Sequence, residues 1–446
     1  MSNSLSGIKQ ASTAMAKEFD QVSTTAVQRR RVVLAGSIGS VVEFFDFAVY
    51  GYVATTIAAL FFPKESPTAG LLSTLAIFAV AYVVRPIGGI LFGHFGDRYG
   101  RKPALAVSVI AMALGTFLIG ILPTHQTIGD AAPLLLVLIR VLQGLSAGGE
   151  IGGASAMLAE TSRDENRGLL TSTTQIGSLI GLLLASAIVA LTNLAVSKEQ
   201  FAEWAWRIPF LLALPTGLVG LYIRSKLEEA ALFKQVEKSG ELAQVPVIEV
   251  LRTSFKSVMK AFGIATVDFA GFYIVFIYVT IYLQTIGKMS RIQATWSSSV
   301  TLLISALALG LFAHLSDRLG RRPIIAASCI GFIVLTLPMF KLLQGDNLLL
   351  AALAQIVLGL CVACIMGPLW TTLAEMFHTR VRYTGMSLGF NLAAVFIGGI
   401  SPYIATWLTV VTGDKSSPAY FLMATAVVTL LTVLTVQETS GKPLQK

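Results

Sequence analysis

Charged side chains are scarce in this chain: Asp, Glu, Lys and Arg make up 13% of its 446 residues, against 54% hydrophobic residues and a mean hydropathy of +0.74. A soluble protein carries roughly a quarter charged residues to keep its surface in water, so this composition argues against a soluble enzyme. A chain so apolar would not stay solvated as a disordered coil either. Cysteine is nearly absent. Cys329, Cys361 and Cys364 all lie in apolar runs, so neither a disulfide framework nor a zinc site is expected, and Cys361-x-x-Cys364 reads as small-residue helix packing. The four histidines, His94, His125, His314 and His378, have no metal-ligand spacing. There is no P-loop, dinucleotide fingerprint or metalloprotease helix, which leaves ATP-driven pumping and cofactor chemistry without support. No nucleophile–base pair is evident, so the chain is not expected to be an enzyme.

What is abundant is long apolar sequence. Runs long enough to cross a bilayer, at about 20 residues each, fall at 32–61, 70–94, 103–123, 133–159, 168–194, 206–224, 260–286, 294–314, 323–343, 347–373, 384–411 and 418–436. These predict an all-α polytopic membrane protein, because the bilayer tolerates no unpaired backbone. The net charge of +9 reads as topology instead of nucleic-acid affinity. Lys64, Lys198, Arg207, Lys288, Arg291, Lys341 and Lys415 lie on one side, and Arg85 and Arg140 lie within spans. The other basic residues fall in the N-terminal tail, the even-to-odd connections and the C-terminus, which places both termini in the cytoplasm. Residues 1–31 end in Arg29, Arg30 and Arg31 without an apolar segment leading to a cleavage site, as in a retained tail.

The chain repeats itself. Gly93-His-Phe-Gly-Asp97-Arg98-Tyr-Gly100-Arg101-Lys102 follows the second run, and Ala313-His-Leu-Ser-Asp317-Arg318-Leu-Gly320-Arg321-Arg322 follows the eighth. A second echo pairs Ala159-Glu160 with Ala374-Glu375, each followed by basic residues (Arg167; Arg380 and Arg382). Two parallel halves follow from this: a six-helix bundle over 32–224, a cytoplasmic linker over 225–259 with alternating charges, a second six-helix bundle over 260–436, and a tail over 437–446. In each loop the aspartate at a helix end can accept hydrogen bonds from a neighbouring helix N-terminus, and the arginines can bind an opposing helix end or acid when that side is closed. Gly93, Asp97, Arg98, Gly100 and Arg101, with Asp317, Arg318, Gly320 and Arg321, are therefore candidate gating residues.

The duplicated loop resembles the signature of the major facilitator superfamily, and Arg140-Val-Leu-Gln143-Gly144 resembles that superfamily's fourth-helix signature. Glu43-Phe-Phe-Asp46-Phe-x-x-Tyr50-Gly51, Gly148-Gly149-Glu150, Trp206-Arg-Ile-Pro-Phe210 and Leu227-Glu228-Glu229 narrow the likeness to the metabolite:proton symporters, whose members carry proline and betaine, shikimate, citrate or α-ketoglutarate. The chain stops shortly after the last apolar run, without the coiled-coil extension of the osmosensing type, so osmotic sensing is not expected.

Ionisable residues at mid-membrane cost about 2.5–3.5 kcal/mol each on insertion scales and normally face a cavity or one another. Counting about 1.5 Å per helical residue, Glu43 lies about 18 Å and Asp46 about 22 Å from the inner surface. By the same count Arg140 lies about 10 Å from the outer surface and Arg85 about 18 Å from the inner one. Two ion pairs are expected on these depths, Asp46–Arg140 and Glu43–Arg85, with Glu150 the less neutralised acid. A carboxylate without a fixed partner in low dielectric can take up and release a proton. The proton-coupling candidates are thus Glu43, Asp46, Glu150 and, from the second half, Asp268; a static network that only holds helices together is the alternative. Substrate-binding candidates are Arg85 and Arg140, which offer two-point recognition of a carboxylate, with Tyr50, Gln175, Tyr273, Gln355, Trp370 and Asn391.

The expected function is proton-coupled import of a small carboxylate-bearing solute, an organic acid or a zwitterion such as proline or a betaine, by alternating access. The alternatives are a proton-driven exporter and a membrane solute sensor. The expected partners are the solute, protons and the lipid bilayer of a bacterial inner or plasma membrane, with no nucleic acid, metal or cofactor and a monomer as the working unit.

Overall fold

The computed structural model describes residues 26–63, 65–88, 91, 101–148, 151–225, 246–378 and 382–444. Among them the chain is helical and no strand occurs. Among the described residues nine helices are long and apolar enough to cross a membrane: Pro67–Gly88, Arg167–Ala195, Ala205–Tyr222, Phe255–Thr285, Arg291–Leu319, Arg321–Leu343, Leu348–Glu375, Thr384–Thr412 and Ser417–Leu434. Ahead of these, Ser37–Tyr52 and Ala54–Phe61 form one span bent by 58°. Two shorter apolar helices, Ala106–Ile121 and Ala131–Ala147, supply the third and fourth spans, the fourth resuming at Ile151–Thr161. Twelve spans result, as the apolar runs predict. The seventh begins at Phe255, five residues before the expected boundary, and is preceded by a short helix over Pro246–Thr253. Of the expected linker, residues 226–245 lie outside the described residues.

Lipid-facing helices leave apolar side chains outside, and Leu307, Leu349, Leu134 and Leu434 are exposed here. The seventh span is different, with its most apolar stretch wholly buried in protein. Close backbone approach explains glycines in the fourth-span motif. A Cβ at Gly144 would lie 2.0 Å from the Ala81 carbonyl oxygen, so the second and fourth spans touch main chain to main chain. Between the first six spans and the last six, the fifth packs along the eighth and the second along the eleventh. Two spans carry a wide helical turn at this junction, Ile274–Tyr278 in the seventh and Ala394–Gly398 in the eleventh. Such turns loosen the hydrogen-bond ladder and are frequent at functional positions.

Candidate functional site

Two polar groupings inside the bundle bear on transport, a cavity lined by both halves and a latch on the basic-loop face. The cavity has room for about one water molecule. It is lined by Arg85, by Ala147, Gly148, Ile151 and Gly152 of the fourth span, and by Trp370, Ser387, Phe390 and Asn391 of the tenth and eleventh. Both halves therefore contribute to it. Arg85 Nη2 donates to Glu43 Oε1 at 2.5 Å with both side chains buried, which is one of the two ion pairs expected. The Phe47 and Tyr82 rings, with centroids 5.0 Å apart, both pack against the guanidinium, each 4.7 Å from its carbon to the ring centroid. Opposite it, the Trp370 ring packs on Phe390 with centroids 4.4 Å apart.

The second expected pair does not form. Arg140 Nη1 donates to Gln143 Oε1 at 3.0 Å and Nη2 to the Phe78 carbonyl at 3.3 Å, and no hydrogen bond joins Arg140 to Asp46. The reason is aromatic packing: the rings of Phe47, Tyr50 and Phe78 surround the Arg140 guanidinium at 5.1, 4.5 and 5.0 Å. Asp46 is buried on the same first span as Glu43. Gln143 passes the network on by donating to Thr116 Oγ1 at 2.5 Å.

The remaining candidates divide. Trp370 and Asn391 line the cavity with Arg85, whereas Tyr50, Gln175, Tyr273 and Gln355 are not among its lining residues. Tyr50 donates to the Thr74 carbonyl at 3.0 Å, and Gln175 accepts from Ser178 of its own helix at 3.5 Å. Gln355 is occupied, donating to the Val275 carbonyl and to Ser298 Oγ, each at 2.9 Å, and accepting from Ser297 Oγ at 2.6 Å. Tyr273 bonds hydroxyl to hydroxyl with Tyr82, joining the seventh span to the second. Asp268 is buried in the seventh span, away from the cavity lining, and its Oδ1 has no hydrogen-bond partner among the described residues. Glu150, Gly93, Asp97, Arg98 and Gly100 lie outside the described residues; Arg101 opens the third-span helix, and its side chain is likewise outside the description.

On the basic-loop face, Asp317 Oδ1 accepts from Gly168 N at 2.9 Å and Oδ2 from Leu169 N at 3.0 Å, capping the N-terminus of the fifth span from the eighth. Arg321 donates to Asp317 at 2.7 Å and to Glu375 at 3.2 and 3.3 Å. Arg167 reaches across from the first half to the same Glu375 at 2.8 Å, all of these groups being buried. Gly320 needs to be glycine: its φ is +107°, and an added Cβ would meet the Glu438 carboxylate. Arg318 is exposed and takes no part in these contacts. The segment after the last span closes over this cluster. Glu438 accepts from Arg321 N and Arg322 N at 3.0 Å each, and Thr439 Oγ1 donates to Glu375 at 2.6 Å. Burial works to raise the Glu438 carboxyl, but the backbone N–H bonds outweigh it and hold the group below the usual carboxylate range. Glu375 and Glu438 were not among the sequence candidates. The Ala-Glu echo marks Glu375, whereas nothing local in the sequence announces the cap made by Glu438. Away from this face the halves also meet at Ser186 and Ser299, whose hydroxyls lie 2.9 Å apart.

A twelve-span bundle with a polar cavity between its halves and a latch on one face defines the class: a multi-pass membrane transporter. The chain matches the model of the Major Facilitator Superfamily over residues 36–402, with a second match over 261–445, and belongs to that family. It is 36% identical over 430 residues to the proline/betaine transporter of Salmonella typhimurium, covering 93% of this chain and 85% of that protein. The glycine betaine/proline/ectoine/pipecolic acid transporter OusA of Dickeya dadantii is likewise 36% identical over 430 residues, with the same coverage. Among solved structures, the proton:xylose symporter XylE bound to 6-bromo-6-deoxy-D-glucose superposes with a TM-score of 0.71 at 18% identity, over 93% of this chain and 97% of that one. A partially occluded inward-open form of XylE from E. coli gives 0.69 at 18% identity, over 94% and 100%. At that identity the likeness concerns the fold alone.

Proposed function

We propose that this transporter imports a small carboxylate-bearing solute together with a proton, and that proline and glycine betaine are the first solutes to try. The carrying observation is the buried Glu43–Arg85 pair at a cavity shared by both halves. While Glu43 is ionised, it occupies the guanidinium. Protonation of Glu43 removes that competitor, and Arg85 is then left to bind a solute carboxylate, so that proton and solute are carried together. Release on the other side runs the exchange backwards. The two six-span halves rock about the cavity, and the contacts among Arg167, Asp317, Arg321 and Glu375 hold the cytoplasmic side shut in the conformation described. The relatives' names support zwitterions as solutes, and the latch supports alternating access.

Glu43→Gln separates the parts of this reading. In proteoliposomes the variant is expected to exchange labelled solute in counterflow while solute addition no longer moves protons. Proton movement at the wild-type rate in Glu43→Gln would shift the role to Asp46, Glu150 or Asp268, and its retention in all four neutralised variants would refute coupling by these acids.

A further inference from the structure

Two buried N–H donors at the cavity have no hydrogen-bond partner among the described residues: Arg85 Nε and Trp370 Nε1. Arg85 is 2% exposed and Trp370 1%, and they line the same cavity from opposite halves. Leaving a buried donor unmade is unfavourable, and two at one cavity are expected to be met by an acceptor that arrives with the solute. We infer that the Arg85 Nε–H and the Trp370 indole N–H together form the seat of one solute carboxylate, each taking one oxygen, so that the solute ties the two halves to each other. This rests on the transport reading above and names the solute class for that site.

The rest of the lining limits that class. Arg85 is the only cation among the described lining residues, and Glu43 already holds its Nη2. Among the described lining residues a second carboxylate would meet no second cation, only the neutral donors of Ser387 and Asn391. The wall beside Trp370 is aromatic, with Phe390 packed on Trp370 and also on Phe269 at 4.5 Å between centroids. A ring face accepts an apolar or alkylammonium end and offers no partner to an anion. The seat therefore suits solutes with one carboxylate and an apolar or onium remainder, such as glycine betaine or proline, and not a dicarboxylate such as 2-oxoglutarate. With room for about one water in the conformation described, the cavity takes such a solute only as the halves separate.

The test is equilibrium binding to the purified full-length protein, with glycine betaine, its methyl ester and 2-oxoglutarate as probes. Wild type is expected to bind glycine betaine at least about tenfold more tightly than the ester, whose carboxyl carries no charge, or than 2-oxoglutarate. Replacing Trp370 by benzothienylalanine keeps the bicyclic ring and exchanges only the N–H for sulfur. This isosteric change should weaken glycine betaine binding about tenfold or more while the unfolding temperature of the empty protein does not fall, since the lost donor had no partner to lose and the packed volume is kept. A residue acting only in packing would shift stability instead. Unchanged affinity in the benzothienylalanine variant overturns the seat, as does equal binding of the ester by wild type, which needs no variant to fold. A wild-type protein that binds 2-oxoglutarate but not glycine betaine or proline overturns the single-carboxylate class and leaves the transport reading intact. Binding of glycine betaine without exchange across liposomes does the reverse.

Discussion

Glu375→Gln should open the cytoplasmic side. Glu375 receives Arg167 from the first half at 2.8 Å, Arg321 from the second at 3.2 and 3.3 Å, and Thr439 from the tail at 2.6 Å. Only the Arg167 bond crosses between the halves, so only it is lost on opening; the others travel with the second half. A buried hydrogen bond to a charged group is stronger than a neutral one by about 1–1.5 kcal/mol; Gln keeps an acceptor oxygen and loses only that difference, which at about 1.4 kcal/mol per decade shifts the closed–open balance about 5- to 12-fold toward open. The two bonds from Gly168 N and Leu169 N to Asp317 remain, so the latch is weakened and not abolished. The assay is the rate of maleimide labelling from the cytoplasmic side at Thr371→Cys, a position bonded to Thr171 across the same joint. Native Cys329, Cys361 and Cys364 are buried and give a low background. Labelling should accelerate by about fivefold or more when Glu375→Gln is added. An unchanged or slower rate would refute the assignment of Glu375 as the hub of the closed state.

Other outcomes follow from the same geometry. The Glu438 carboxylate is held below its usual range by four backbone N–H groups against the effect of burial, so it stabilises the fold above the unfolded-state value near about pH 4 and that contribution fades as pH falls through the depressed folded-state value. Glu438→Gln should lower stability by about 1 kcal/mol or less at pH 7, reduced by partial exposure, and the gap to wild type should close in acid; thermal unfolding at several pH values measures it. Gly144→Ala pushes a methyl against the Ala81 carbonyl and should cost about 1–3 kcal/mol, seen as a lower unfolding temperature or loss of folded protein on size exclusion. Tyr273→Phe removes the hydroxyl contact with Tyr82 and should favour separation of the seventh and second spans by about 0.5–1.5 kcal/mol, read as faster labelling of a cysteine at Ser186 from the outer side.

The spans were legible because each needs about 20 apolar residues whatever its neighbours do; the break at Val53, the early starts at Ala26 and Phe255 and the late end at Leu319 escaped hydropathy. The loop chemistry was legible for a similar reason: a carboxylate at a helix end such as Asp317 has few ways to be satisfied, and capping the N-terminus at Gly168 is one of them. Depth along a helix also brought Glu43 to Arg85. It failed for Asp46 and Arg140, because depth fixes height in the membrane but not rotation, and the Phe47, Tyr50 and Phe78 rings claim the guanidinium face. Gln355, a substrate-binding candidate in the sequence, is taken up by bonds between the seventh, eighth and tenth spans. Phe390 and Ser387 were missed since a phenylalanine or serine in a membrane helix carries no local sign that it borders a cavity.

The central claim is that solute and proton cross together, and uptake against a gradient tests it most directly. Proteoliposomes holding the protein, with the outside made acidic and labelled glycine betaine and proline supplied in turn, should accumulate solute above the external concentration. A protonophore should reduce this to simple equilibration. Accumulation that is indifferent to the protonophore, or entry that never exceeds equilibrium under the pH gradient, would contradict proton-coupled symport.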